Sequence, residues 1–132
     1  MEQMQKVILL AGPTGSGKSK LAIKLAQHFG SEIINADSMQ VYKEFSILTS
    51  KPNLQDTKII KHHLYGFHPA KKFFSTGHWL KLALKEIKEQ WKKGKTPVVV
   101  GGTGLYFKAL TNGLIKIPDI PGKLRKDIRK FN

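Results

Sequence analysis

The 132-residue chain contains no cysteine. That excludes a disulfide scaffold and any thiolate metal site, and it is compatible with a reducing cytosol. Arginine is almost as scarce: of 23 basic residues, only Arg125 and Arg129 are arginine. No apolar run approaches the ~18 residues that a membrane helix needs. Met1 to Lys6 carries Glu2 and lacks the basic start, apolar stretch and small-residue cleavage site of a secretory signal. The expectation is a soluble, cytoplasmic protein with no membrane partner. Internal repeats and low-complexity stretches are also missing.

What is present is the composition of a folded domain. Hydrophobic residues make up 40% and charged residues 24%, enough apolar surface to offset chain entropy. One domain is the prior at this length. The 23 Lys and Arg against 9 Asp and Glu give a formal charge of +14. That charge is uneven. Residues 1–50 hold 5 Lys and 4 acids, whereas residues 51–100 hold 11 Lys and 3 acids. A basic surface confined to the last two-thirds suits a phosphate-backbone partner. The excess is nearly all lysine, however, which compositional drift produces unaided and which lacks arginine's planar phosphate recognition.

Lys6-Val7-Ile8-Leu9-Leu10-Ala11 is a continuous apolar run of the kind found in strands buried on both faces of a parallel sheet. Lys18 to Phe29 repeats apolar residues at helical period (Leu21, Ala22, Leu25, Ala26, Phe29), and Gly30 stops it. Glu32 to Ala36 reads as a second strand, completing a βαβ unit. Residues 45–75 are less regular. A helix is expected from about Thr76 to Lys93, with the apolar stripe Leu80, Ala83, Leu84, Ile87 and Trp91. Thr96 to Val100 reads as a third strand, Leu105 to Asn112 as a short helix, and Lys123 to Phe131 as the start of one more. The fold class is α/β: a P-loop NTPase-like parallel sheet with flanking helices. Three strands fall below the usual ~4–6, so the core, residues 1–117, reads as incomplete and truncated.

The strongest motif lies between the first strand and the first helix. Gly12-Pro13-Thr14-Gly15-Ser16-Gly17-Lys18-Ser19 fits G-x-x-x-x-G-K-[ST] at every fixed position, in the strand–turn–helix context that motif requires. Glycines let successive N–H groups turn inward, and the helix N-terminus adds partial positive charge. Lys18 can then bridge phosphate oxygens, and the Ser19 hydroxyl can be offered to Mg²⁺. A nucleotide or diphosphate phosphate chain is the implied ligand. The reaction is less plain. P-loop hydrolases and kinases usually end a second strand in an acid that holds Mg²⁺, but Val98-Val99-Val100 ends in Gly101-Gly102. The acid in an equivalent place is Asp37, at the carboxyl end of the second strand. It is a candidate general base or metal partner, or else an N-cap for the turn that begins at Ser38.

Further blocks follow in order: Asn35-Ala36-Asp37-Ser38-Met39-Gln40-Val41-Tyr42, Thr49-Ser50-Lys51-Pro52, His62-His63-Leu64 and Val100-Gly101-Gly102-Thr103-Gly104-Leu105-Tyr106. With the P-loop they resemble the amino-terminal part of the tRNA dimethylallyltransferases (isopentenyl-tRNA transferases). Gly15 stands where that family commonly has Ala, and Tyr65-Gly66 where Ile-Asp is frequent. The resemblance implies transfer of a dimethylallyl group from dimethylallyl diphosphate to N6 of an adenosine beside the anticodon of tRNA. It implies that the P-loop, Gly12 to Ser19, holds the donor's diphosphate and not ATP, with Mg²⁺ on Ser19. It assigns Asp37 the N6 proton, places Thr103 at the reacting centre with Lys18 on the leaving group, and gives Ser38, Met39 and Gln40 to the extruded base. Arg125 is matched loosely to a tRNA-contacting position.

An adenine N6 amine is a poor nucleophile, so its proton must leave as it attacks, and the target base must leave its stack. Tyr106 reads as core, and His62 and His63 as structural or RNA-facing. The resemblance further implies that residues 118–132 begin an inserted helical tRNA-binding domain. The chain would then act as a monomer or with a separately encoded second half. A small P-loop phosphotransferase, and an inactive remnant that binds diphosphate or RNA, are the alternatives.

Overall fold

In the apolar run at the N-terminal end, Lys6–Ala11 forms strand β1, and its central residues Val7 to Leu10 are all buried. Alternation explains the unbroken run: Val7 and Leu9 pack into one core cluster and Ile8 and Leu10 into another, on the opposite face of the sheet. The computed structural model describes residues 5–13, 17–42 and 59–116, together with the backbone of residues 125–130.

After β1 come helix α1 (Lys18–Phe29), β2 (Ile33–Asn35), β3 (His62–His63), α2 (Thr76–Lys92), β4 (Val98–Gly101), α3 (Gly104–Ile115) and β5 (Arg125–Lys130). All pairings are parallel, and the sheet order is β3-β2-β4-β1-β5. Register places Leu9 beside Val99 and Ile34 beside the same Val99, so β4 is clamped between β1 and β2.

Helices cover both faces, giving three layers. On one face, α1 lays Ala22 and Ala26 against Ile8, Leu10, Ile33, Val98 and Val100. Small residues on the helix let it sit close to the β-branched surface of the strands. On the other face, α2 and α3 bury Trp79, Ala83, Ile87, Tyr106, Leu110 and Leu114 over Val7, Leu9, Ile34 and Val99. Helix α2 begins at Ser75, whose Oγ accepts a hydrogen bond from the His78 N–H at 3.0 Å.

The structure departs from the sequence reading in three places. Among the described residues the sheet has five strands, not three: β3 arises from the stretch that looked irregular, because a two-residue edge strand has no readable period. The chain expected to be helical from Lys123 instead contributes β5, whose register runs from Lys6–Arg125 to Ala11–Lys130. The open edge of β1 would otherwise present a row of unpaired N–H and C=O groups, and parallel pairing satisfies them. Finally, the buried line of α2 runs through Trp79, Ala83, Ile87 and Gln90, with Leu80, Leu84 and Trp91 only half-buried beside it. The Trp79 indole sets that rotation, because its Nε1–H donates to the Asn35 carbonyl at 2.6 Å.

Candidate active site

Three strand ends meet at the carboxyl edge of the sheet. Gly12 N donates to Gly101 O at 3.1 Å, Ala36 N to Val100 O at 2.8 Å, and Thr103 N to Ala36 O at 3.2 Å. The chain leaves β1 through α1 on one face and leaves β4 through α3 on the other, the kind of strand end at which open α/β sheets bind their ligands. Gly101 makes the approach possible: a Cβ there would overlap the Ala36 carbonyl and press on the Asp37 N–H.

The phosphate side of this edge is the start of α1. Gly17 is its N-cap in the left-handed region (φ 83°), a conformation that glycine adopts without strain. The first-turn N–H groups are thereby left facing outward, with Lys18 and Ser19 directly behind. Lys18 is buried and its Nζ donates to the Pro13 carbonyl at 2.8 Å. Burial holds its pKa below the ordinary value, while the negative charge of Asp37 works in the opposite direction. Ser19 is exposed. Thr14, Gly15 and Ser16 lie outside the described residues, as does the Thr49 to Pro52 block.

Asp37 faces this phosphate side from the end of β2. Its main chain is fixed by Asn35, which is fully buried: Asp37 N donates to Asn35 Oδ1 at 2.9 Å, and Asn35 Nδ2 donates to Asp37 O at 2.9 Å and to Leu64 O at 3.0 Å. Asp37 Oδ1 accepts from the Met39 N–H at 3.0 Å, so the capping role and a chemical role coexist in one side chain. Among the described residues, no hydrogen bond engages Oδ2, which points toward Gly102. Thr103 closes the far side: its Oγ1 accepts from Ser38 N at 2.8 Å and lies 3.2 Å from Ser38 Oγ.

Aromatic residues form the floor. Trp79 and Tyr106 stack with ring centroids 4.4 Å apart, and Tyr106 is buried, as core was expected to be. Burial, then the Tyr42 and Asp37 charges, push the Tyr106 phenol up to about 12. Tyr65 is likewise raised by burial and by Asp37. Both phenols therefore stay protonated near neutral pH.

The structure thus brings Lys18, Asp37, Ser38 and Thr103 to one edge, together with Gly12, Pro13, Gly17 and Ser19. Met39 is 46% exposed on the same loop, whereas Gln40 is buried and its Oε1 has no partner among the described residues. Arg125 lies in β5, beside Lys6, and its side chain is outside the described residues. His63 is structural: Nε2 lies 2.6 Å from Glu32 Oε1 and Nδ1 3.3 Å from Glu86 Oε2. Among the described residues, no cluster of three or more His, Asp or Glu could hold a metal. Ser19 and Asp37 offer a hydroxyl and a carboxylate, oxygen donors of the type that Mg²⁺ takes. Sequence reasoning undervalued Asn35 and Trp79; the signal was an Asn two residues before the acid and a Trp next to the expected stripe.

A parallel, P-loop NTPase-like α/β domain, with a glycine-capped helix start after β1 and a carboxylate after β2, is the class that this fold and edge define. Within it, the family model described as IPP transferase matches residues 40–132, and the model described as Isopentenyl transferase matches residues 5–65. The chain belongs to the IPP transferase family. A tRNA dimethylallyltransferase of Pelagibacter ubique is 57% identical over 129 residues, and one of Rhizobium rhizogenes is 52% identical over 123. These alignments take in 98% and 93% of the chain but 41% of each relative. Among solved structures, a eukaryotic dimethylallyltransferase acting on tRNA superposes with a TM-score of 0.76 at 42% identity, over 80% of this chain and 26% of that one. The Bacillus halodurans tRNA isopentenylpyrophosphate transferase gives 0.78 at 35% identity, over 89% and 38%. Among the described residues, no helix is long and apolar enough to cross a membrane.

Proposed function

We propose that this chain carries the donor and acceptor site of a tRNA dimethylallyltransferase and moves the dimethylallyl group of dimethylallyl diphosphate to N6 of an adenosine beside the anticodon. The observation that carries this reading is that Asp37 lies near enough to Lys18 for its charge to act on the ammonium, with Asp37 Oδ1 bound to Met39 N and no hydrogen bond on Oδ2 among the described residues. The α1 N-terminus and Lys18 take the diphosphate. Asp37 Oδ2 accepts the N6 proton as the nitrogen bonds to the allylic carbon and the carbon–oxygen bond to diphosphate breaks. Coupled proton transfer of this kind contributes roughly 10²–10⁴-fold. Thr103, held by Ser38, borders the reacting centre, and Ser38, Met39 and Gln40 meet the extruded base.

Mg²⁺ held by Ser19 would neutralise charge on the departing diphosphate. On this reading the substrate is tRNA in the cytoplasm. The phosphotransferase alternative has no support in the geometry, because β4 ends in Gly101 and Gly102 and the acid nearby comes from β2. The test is to mix the 132-residue chain with Mg²⁺, labelled dimethylallyl diphosphate and an unmodified anticodon stem-loop. Label on adenosine N6 is expected. A folded chain that binds diphosphate yet transfers no label contradicts the reading.

A further inference from the structure

Of the large hydrophobic side chains among the described residues, Phe73 is the most exposed, at 86%. Its neighbours in the chain behave differently. Phe74 is 4% exposed and packs edge-on against Phe67, with ring centroids 5.3 Å apart, and against His78 at 4.6 Å. The segment is therefore anchored at Phe74 while Phe73 stands in solvent. Lys72 N donates to Pro69 O at 3.1 Å, closing a tight turn in which Pro69, Ala70, Lys71 and Lys72 are all exposed.

The turn is fastened to the loop that follows Asp37. Gly66 N donates to Gln40 O at 2.8 Å, Phe67 N to Val41 O at 2.9 Å, His68 N to Val41 O at 3.1 Å, and Phe74 N to Tyr42 Oη at 3.0 Å. These bonds brace both ends of the Pro69–Phe73 turn beside the carboxyl edge of the sheet. An exposed aromatic ring directly after two exposed lysines, on a segment tied to the loop that follows Asp37, has the makings of a stacking platform for unpaired bases. The two lysines favour a polyanion over an apolar protein surface.

We propose that the Pro69–Phe73 turn is a single-stranded RNA contact, in which Phe73 stacks on an unpaired base near the one taken into the site and Lys71 and Lys72 hold flanking phosphates. The choice of RNA rests on the function proposed above; the surface itself does not. Binding of a labelled anticodon stem-loop to the 132-residue chain, followed by fluorescence anisotropy at several salt concentrations, tests it. Phe73→Ala should weaken binding about tenfold and Phe73→Trp should preserve it, since loss of one base stack typically costs between several-fold and a hundredfold. Replacing both lysines by alanine should lower the salt slope by about 1.4, the yield of two single-strand phosphate contacts.

Diphosphate affinity and melting temperature should stay at wild-type values in all three. Ile115→Ala is the control: Ile115 is 65% exposed at the far end of α3, and its loss should leave RNA binding unchanged. Wild-type affinity in Phe73→Ala, or an equal loss in Ile115→Ala, overturns the proposal. So does a Phe73→Ala chain whose oligomeric state changes while RNA binding holds, which would mark a protein interface. Absence of prenyl transfer alongside Phe73-dependent RNA binding would instead count against the proposed reaction and leave this contact standing.

Discussion

Two polar clusters lie at opposite places on the sheet and solve opposite problems. At the carboxyl ends of the central strands, Asp37 is held by neutral groups: the Asn35 amide, the Met39 N–H, and a Ser38 backbone fixed by Thr103. At the β3 edge, Glu32 is held by ionisable side chains, with His63 at 2.6 Å and Lys95 at 3.5 Å, and His63 also reaches Glu86. The edge cluster ties β3 to α2 and to the start of β2 through side chains that engage one another. The central cluster orients a carboxylate without neutralising it. One carboxylate oxygen is fixed by Met39 N and the other has no hydrogen bond among the described residues, which leaves it placed to meet a ligand.

The sharpest way to break the central cluster is Gly101→Ala. The added methyl has no space against the Ala36 carbonyl, and three strand ends must separate to admit it. We expect a loss of about 3 kcal/mol or more, read as a fall in denaturant midpoint; a change under about 1 kcal/mol would show the edge to be looser than described. Next comes Asn35→Ala, which strips partners from Asp37 N, Asp37 O and Leu64 O at a fully buried position. Leaving such groups unpaired costs about 1–3 kcal/mol, and transfer activity should fall further than stability accounts for.

The smallest effect is expected at the charged edge. Burial raises the Glu32 pKa, but the His63 hydrogen bond and the His63 and Lys95 charges outweigh it and leave the carboxyl below its ordinary 4.5. A carboxyl with a depressed folded pKa stabilises the fold above its unfolded pKa and loses that contribution as pH falls through the folded one. Glu32→Gln should therefore cost under about 1 kcal/mol at neutral pH and flatten the stability–pH curve below pH 4.5. Activity at neutral pH should not change.

Much of this was legible in the sequence where a period or a fixed spacing carried it. The apolar run of β1 and the helical repeat of α1 each encode one local event, and the structure places them as expected. What was illegible depends on partners distant in the chain. His62 and His63 form a strand only because Ile33 and Ile34 lie alongside. The helix expected from Lys123 gave way to β5 because β1 has an edge to fill, which no local pattern in Arg125–Lys130 announces. Asn35 read only as one residue of the second strand and of the block that continues through Asp37. Its role emerges only when the Leu64 carbonyl and the Trp79 indole arrive from 29 and 44 residues away.

The account stands most directly on Asp37 as the acceptor of the N6 proton. Single-turnover transfer of labelled dimethylallyl to an anticodon stem-loop should be compared between the wild-type chain and Asp37→Asn, with diphosphate binding measured in both. Asn is isosteric and can still accept from Met39 N, so folding and diphosphate binding should persist while the rate falls about 10²-fold or more. A variant that transfers at the wild-type rate would contradict the central claim and reduce Asp37 to a cap for its turn.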